Sequence, residues 1–383
     1  MRRFNVGVLG CGVISRTYVS DIQAFYPQLN IVACADVSLE LAEKLAREFG
    51  IPKACVTEEL LRDEAIEIVL NLTPPQFHVA LDRQIIAAGK HLFSEKPFAP
   101  TASEAREILK LAEEARVRVG CAPDTFLSSG LQSVRWYLDS GLIGRPFFVT
   151  ANMTTFGPET WHPNPEPFYR VGSGPLYDMA PYYLSAIVAL LGPIETIAAF
   201  DACADRNRRV YVGKKAGMTL ESEVATHYSA ILRLRSGVVV NLNVSFDIYR
   251  SNLPMFEIYG DGGTLAYPDP NFGGGAPRVY RKEQYTDPVY RNTDEAKARR
   301  ESFYELPELF PRPKDYSRGI GVADLAKAIE TGGQNRANGD LIVHITEAIE
   351  GMLASAQSGS FYQMQSTCER PEPLKPGGAL GEL

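Results

Sequence analysis

Lys96 stands between Glu95 and Pro97 at the end of a short apolar run. An ammonium fixed there can polarise a hydroxyl or relay its proton. Asp178 and Tyr182 are four residues apart, a helical spacing that sets a carboxylate and a phenol one turn apart on one face, with Tyr183 pointing elsewhere. His162, in the proline-dense stretch Trp161-His162-Pro163-Asn164-Pro165-Glu166-Pro167, adds an imidazole, the side chain that titrates nearest neutrality. Prolines at that density forbid regular structure, so a fixed loop is expected there. A different chemistry belongs to Gly10-Cys11-Gly12-Val13-Ile14-Ser15 and the later Asp36. Two glycines in a turn let backbone approach phosphates, and an acid beyond the next strand can accept from ribose hydroxyls. The six cysteines (Cys11, Cys34, Cys55, Cys121, Cys203 and Cys368) form no Cys-x-x-Cys pair, and no metal site is expected.

These residues need elements to carry them. Phe4–Leu9 and Leu29–Ala35 are apolar, β-rich runs, with a helical pattern between them that extends towards Pro27. Gly10 suits the tight turn, Gly12 the approach of a pyrophosphate, and the N–H groups of Val13 and Ile14 at the helix start suit its oxygens. Ser15, where a third glycine is usual, is small enough for close helix–strand packing. Asp36 would repel a 2′-phosphate, and Val37-Ser38 bring no cation to hold one; NAD is therefore expected rather than NADP. Ser38 is placed to cap the next helix, which Gly50 ends. The strand Ile66–Leu72 runs into Thr73-Pro74-Pro75, and a helix follows from Phe77 to Ala88. The strand His91–Ser94 ends in Glu95-Lys96-Pro97, Thr101 or Ser103 caps a helix to about Ala115, and Val117–Cys121 is one more strand. Strand and helix in alternation predict a doubly wound parallel sheet whose ligand sits at the carboxyl ends of the strands. Three of those ends, at Gly10, Thr73 and Lys96, converge there.

The glycine turn, Asp36, Thr73-Pro74-Pro75 with His78, and Glu95-Lys96-Pro97 together resemble the glucose–fructose oxidoreductase / inositol dehydrogenase / rhizopine catabolism (Gfo/Idh/MocA) family, and the likeness runs on through Asp178 to the C-terminal helices. The resemblance implies a bound nicotinamide dinucleotide held by Gly10, Gly12, Val13, Ile14, Asp36, Thr73, Pro74, His78, Glu95 and Lys96, with Trp161 nearby. It also implies hydride transfer between that cofactor and a secondary alcohol of a sugar, sugar derivative or cyclitol, with Lys96 facing both. Family members usually present an aspartate and, four residues later, a histidine. Asp178 matches the first, and Tyr182 departs from the second. A phenol titrates at about 10 when unperturbed and would need Lys96 nearby to act as a base; His162 is the other source of a proton acceptor. The assignment stays open between them. Trp161 either offers an apolar face on which a sugar can stack or only packs the loop.

Beyond Pro193 the chain reads as successive strands (Glu195–Ala202, Ser222–Leu234, Val238–Phe246, Met255–Gly260, Gly263–Tyr267), then a Gly- and Pro-rich insert, Pro268–Arg312, and two helices, Val322–Thr331 and Leu341–Ala356. The fold class expected is α/β plus α+β: a Rossmann domain over residues 1–122, and a domain over 123–383 built on a large open, mostly antiparallel sheet. One face of that sheet packs on the Asp178 helix. In the family the other is commonly buried against another subunit, which implies a homodimer or homotetramer. The net charge of −7 carries no long basic block, which argues against nucleic acid, and no apolar run reaches the roughly 18–20 residues of a membrane span. Met1-Arg2-Arg3 leads straight into the first strand, so a cytoplasmic protein with reduced thiols is expected. Two rivals to a dehydrogenase share this fold: an NAD-dependent glycosidase that oxidises its substrate transiently, and a sensor of NAD and sugar without turnover.

Overall fold

The computed structural model describes residues 2–273, 275–286, 294, 302–310 and 317–376. They divide into two compact units, one formed by Met1–Ser128 with Pro311–Thr346 and the residues from Leu374 onward, the other by Ser129–Phe310 with Glu347–Pro373.

The first unit alternates strand and helix: β1 (Phe4–Leu9), α1 (Val13–Phe25), β2 (Leu29–Ala35), α2 (Leu39–Phe49), β3 (Lys53–Cys55), α3 (Thr57–Arg62), β4 (Ile68–Asn71), α4 (His78–Ala87), β5 (His91–Ser94), α5 (Ala102–Glu114) and β6 (Val119–Cys121). The strands pair in parallel in the order β3-β2-β1-β4-β5-β6. This is the doubly wound order whose direction reverses between β1 and β4, so the crevice for a ligand opens at the carboxyl ends of those two strands. Leu9, Ala33, Val69 and Leu92 from the strands pack with Ile85, Ile108 and Ala112 from the helices in the core. The interior of such a sheet is buried on both faces, which is why these strands read as unbroken apolar runs. β3 is the strand the apolar pattern does not announce: it has three residues and lies at the sheet edge. The Ile320–Thr331 helix also belongs to this unit and lies against β5 and β6, where Gly321 sits so close to the Phe93 ring that a Cβ would come within 2.7 Å of it.

The second unit holds α6 (Ser129–Asp139), β7 (Pro146–Thr154), α7 (Gly174–Asp178), α8 (Ala180–Leu191), β8 (Ile194–Ala202), β9 (Asn207–Arg209), β10 (Thr219–Glu221), β11 (His227–Leu234), β12 (Val239–Ser245), β13 (Phe256–Gly260), β14 (Gly263–Tyr267), β15 (Arg278–Arg281), β16 (Tyr304–Glu305) and β17 (Tyr362–Gln363). Among the described residues, nine strands make one sheet in the order β16-β15-β14-β13-β7-β12-β11-β8-β17, and β9 pairs with β10 outside it. β7 and β12 run parallel while their neighbours are antiparallel, so the sheet is mixed and mostly antiparallel. α7 and α8 lie on one of its faces.

Two expectations need correction here. The single helix expected from Leu176 to Leu191 is two helices, with Met179 between them. Pro181 is the reason: it has no N–H to give and its ring crowds the carbonyl four residues back. The chain gets past it with a three-residue step, Tyr182 N–H bonding Met179 O at 3.2 Å. The strand expected over Ser222–Leu234 is shorter than its range: it starts only at His227, and a separate short strand, Thr219–Glu221, precedes that range and pairs with β9. Of the Pro268–Arg312 insert, residues 274, 287–293, 295–301 and 311–312 lie outside the described residues; within the rest, β15 and β16 extend the sheet edge.

Candidate functional site

In the first unit the glycine turn lies between the end of β1 and the start of α1. Gly10 has φ +94°, and a Cβ there would lie 2.7 Å from the backbone of Leu72 and Thr73; both the dihedral and the space demand glycine. Gly12 is different. Its backbone is extended, and a Cβ would meet nothing within 4 Å. The fold itself leaves that space open, so glycine at this position suits a group that comes from outside. α1 begins there with no side-chain cap and no acid in its first turn, and Val13 is 84 % exposed beside the half-buried Ile14. An uncapped N-terminus of a 13-residue helix is a ready anion site. Ser15 is buried and its hydroxyl donates to Gly12 O at 2.7 Å, which closes the turn from beneath.

Asp36 is tied to this turn. Its Oδ2 accepts from Cys11 N–H at 2.8 Å and its Oδ1 from Ser38 N–H at 2.9 Å. Ser38 thus holds the acid through its backbone, and its side chain makes no cap bond to α2. The half-buried carboxylate keeps spare acceptor capacity for two hydroxyls. Cys11 contributes its backbone only: a hydrogen bond with the Cys34 thiol and burial push its own thiol well up, so it is no nucleophile.

A buried network links the other two strand ends. Asn71, the last residue of β4, donates to Asp82 Oδ1 at 2.7 Å and accepts from the Thr73 hydroxyl at 2.7 Å. His78 is 1 % exposed, with Nε2 2.7 Å from Thr73 O and Nδ1 2.8 Å from Pro97 O. It therefore braces the Thr73 turn against the Lys96-Pro97 turn from below, while Pro74 stands exposed above. Glu95 accepts from Tyr18 Oη at 2.9 Å and from Lys96 N–H at 2.9 Å, and the Lys96-Pro97 peptide is cis. Burial pushes the Asp82 carboxyl up to about 7 against the lowering effect of Asn71 and Ser94. Lys96 itself is half-buried at the carboxyl end of β5.

In the second unit, Asp178 ends α7 and is half-buried, whereas Tyr182 lies in the first turn of α8 and is buried. Their one-turn relationship in a continuous helix does not exist, because the break at Met179 falls between them. Tyr183 points into the interior and donates to Asp269 at 3.0 Å. His162 is half-buried, and its Nδ1 accepts from Asn164 N–H at 3.1 Å. In a neutral imidazole the proton then resides on Nε2, which makes the ring a donor there. Trp161 is 61 % exposed and forms an edge-on cluster with His162 and Phe168, with ring centroids 5.0–6.1 Å apart. Among the described residues no group of His, Cys, Asp and Glu is arranged to hold a metal ion, and no helix is long and apolar enough to cross a membrane.

Several groups around these residues carry no local signal in the sequence. The Cys11 N–H that holds Asp36, Tyr18 behind Glu95, and Asn71 and Asp82 beneath Thr73 are ordinary residues until the sheet order sets them side by side.

Residues 4–122 match the family described as "Oxidoreductase family, NAD-binding Rossmann fold", and residues 131–266 match the GFO/IDH/MocA C-terminal domain. The chain is 27% identical over 212 residues to uncharacterized protein YMR315W of Saccharomyces cerevisiae, covering 52% of this chain and 58% of the yeast protein. It thus spans little more than half of that relative's length. It is 24% identical over 294 residues to the levoglucosan dehydrogenase of Pseudarthrobacter phenanthrenivorans, 70% of this chain and 74% of that enzyme. The fold is shared with the structure of a levoglucosan dehydrogenase in complex with NADH and levoglucosan (TM-score 0.76, 20% identity, 95% of this chain and 100% of that one).

Proposed function

This chain belongs to the Gfo/Idh/MocA oxidoreductase family, and on that premise we propose that it is an NAD-dependent dehydrogenase acting on a secondary alcohol of a sugar, sugar derivative or cyclitol. The observation that carries the reading is the cradle at Gly12: open space where a Cβ would stand, an uncapped helix start beside it, and the Asp36 carboxylate fixed at its rim. A dinucleotide fits those features, and when bound its nicotinamide supplies the hydride acceptor or donor. Relatives named levoglucosan dehydrogenase, 1,5-anhydro-D-fructose reductase and D-xylose dehydrogenase support the sugar class.

The chain's own residues supply the rest. The N–H groups of Val13 and Ile14 hold phosphate oxygens, with Thr73 and Pro74 walling the cofactor from the β4 side. Asp36 selects NAD, since a 2′-phosphate would meet a carboxylate with no cation beside it. His78 and Glu95 serve from behind, by setting the turn that carries Lys96. Lys96 polarises the reacting hydroxyl, and Asp178 orients the sugar. Tyr182, ionised to the phenolate, takes the proton in preference to His162, whose Nδ1 is occupied by Asn164 N–H and whose Nε2 is then a donor. His162 holds a sugar hydroxyl instead, and Trp161 stacks on an apolar sugar face.

The outward side of the large sheet exposes Phe200, Ile231 and Val239 in neighbouring strands, which supports a homodimer or homotetramer formed through this face. A cytoplasmic location completes the reading; all six cysteines are free thiols.

The test is NADH formation by the purified protein with NAD and a panel of levoglucosan, D-xylose, D-glucose and myo-inositol, beside Lys96→Ala. Turnover that Lys96→Ala reduces by roughly 10²–10⁴ supports the reading. Tight NAD binding with no turnover, or glycoside cleavage without NADH, refutes it.

A further inference from the structure

The loop that presents Trp161, His162 and Phe168 is clamped from below by a hairpin the sequence did not single out. Arg208, on β9, is 4 % exposed. Its Nε and Nη2 bond Glu159 Oε1 at 3.0 and 2.7 Å, its Nη1 bonds Asp247 Oδ1 at 2.5 Å, and its Nη2 also donates to Phe246 O at 2.8 Å. Glu159 and Asp247 are themselves buried, and each has a further partner: Tyr169 Oη donates to Glu159, and Thr226 Oγ1 to Asp247 at 2.6 Å. The guanidinium plane also lies 5.4 Å from the ring centroids of Phe156 and Tyr169, one at each end of the loop. A guanidinium that converges two N–H groups on one carboxylate oxygen and a third on a second carboxylate has its direction fixed as well as its distance.

The tip of the same hairpin grips the loop again. Lys215 Nζ donates to Asn164 Oδ1 and Glu166 Oε2, each at 2.8 Å. Gly213 lies so close that a Cβ would come within 2.9 Å of Pro163. Tyr211 N–H bonds Glu159 O at 3.0 Å. These contacts tie the loop at Glu159, Pro163, Asn164 and Glu166, and Trp161 between them stays exposed. A rigid exposed aromatic binds without the ordering cost that a mobile one incurs.

We propose that Arg208 is a positioning residue for substrate selection: through Glu159 it sets the pose of the Trp161–His162–Phe168 surface, which receives the apolar face of a sugar ring. The proposal rests on the sugar reading above and adds to it the residues that decide which ring shape is accepted. Arg208 touches neither substrate nor cofactor.

The sequence holds two tryptophans, so Trp136→Phe leaves Trp161 as the sole reporter. In that background, Arg208→Lys, which keeps the charge but not the fork, and Lys215→Ala, at a partly exposed tether, are compared with the parent. Three quantities are read: acrylamide quenching of Trp161, NADH affinity, and KM and kcat for the best sugar of the panel. If no panel sugar turns over, titration of each against Trp161 emission replaces KM. The expected result is stronger quenching, a KM or sugar dissociation constant raised about tenfold or more, a smaller change in kcat, and unchanged NADH affinity. Unchanged quenching and KM in Lys215→Ala together with a folded Arg208→Lys overturn the proposal. Trp161→Ala separates the two claims. If it raises KM while the hairpin variants do not, positioning by Arg208 fails and the sugar surface stands. If it leaves KM unchanged and no sugar alters Trp161 emission, the sugar reading of this loop fails, and the proposal with it.

Discussion

Cys11 N–H donates to Asp36 Oδ2 at 2.8 Å, so the glycine turn after β1 and the acid after β2 are one hydrogen-bonded unit. The acid is thus oriented before any ribose arrives. Asp36→Ala removes charge-assisted bonds worth roughly 1.5–3 kcal/mol, and NAD affinity is expected to fall about 10- to 100-fold. Isothermal titration with NAD and NADP checks this. Asp36→Ser with Val37→Arg should move the preference towards NADP.

The two glycines of the turn are expected to fail differently. Gly10→Ala places a Cβ against the Leu72–Thr73 backbone at φ +94° and should destabilise the first unit by about 1–3 kcal/mol. A Cβ at Gly12 meets no protein atom within 4 Å, so in Gly12→Ala the melting temperature should hold while NADH binding is weakened. Melting curves with and without NADH separate the outcomes.

Asp82 makes stability depend on pH. Its carboxyl is raised by burial to about 7 in the folded protein, against about 3.9 unfolded. The folded state therefore holds a proton that the unfolded state has released between those values. The stabilisation is fully present below about pH 4 and is lost as pH rises through about 7, a change on the order of 4 kcal/mol. Asp82→Asn cannot ionise and should flatten this slope, so its disadvantage relative to the parent shrinks or reverses between pH 5 and pH 8. Urea unfolding at both pH values measures it.

Tyr182→Phe and His162→Gln should divide chemistry from binding. Nδ1 of His162 accepts from Asn164, so loss of the ring should raise KM for the sugar with kcat changed less than about tenfold. Tyr182→Phe should lower kcat by roughly 10²–10⁴ and remove the acidic limb of the pH–rate profile for alcohol oxidation. A larger kcat loss in His162→Gln would reverse the two roles.

Arg208→Met leaves Glu159 and Asp247 buried without their cation. Breaking a buried pair from one side costs about 3–5 kcal/mol, and the second unit should unfold at visibly lower urea concentration, with NADH binding by the first unit retained.

The first half of the chain was legible because its chemistry is local. A strand buried on both faces is an unbroken apolar run, the turn needs glycine at Gly10 for a dihedral reason, and Asp36 follows directly from the strand that carries it. The second half was legible in its strands, since alternation is also local, but not in its site. Pro181 was in plain view, yet the periodicity through Asp178 and Tyr182 concealed that the helix breaks between them. The hairpin of β9 and β10 is two three-residue strands, too short for a period to register. Arg208 and Lys215 carry no local signal that sets them apart from other charged residues. Only the tertiary structure turns one of them into a buried fork between Glu159 and Asp247, because an ion triad is assembled from residues 39 and 49 positions away in the chain. Sequence by itself determined the family, the parallel sheet and the cofactor turn; tertiary structure decided which polar residues are spent holding loops and which remain to meet a substrate, because burial and hydrogen-bond partners are properties of the packed chain.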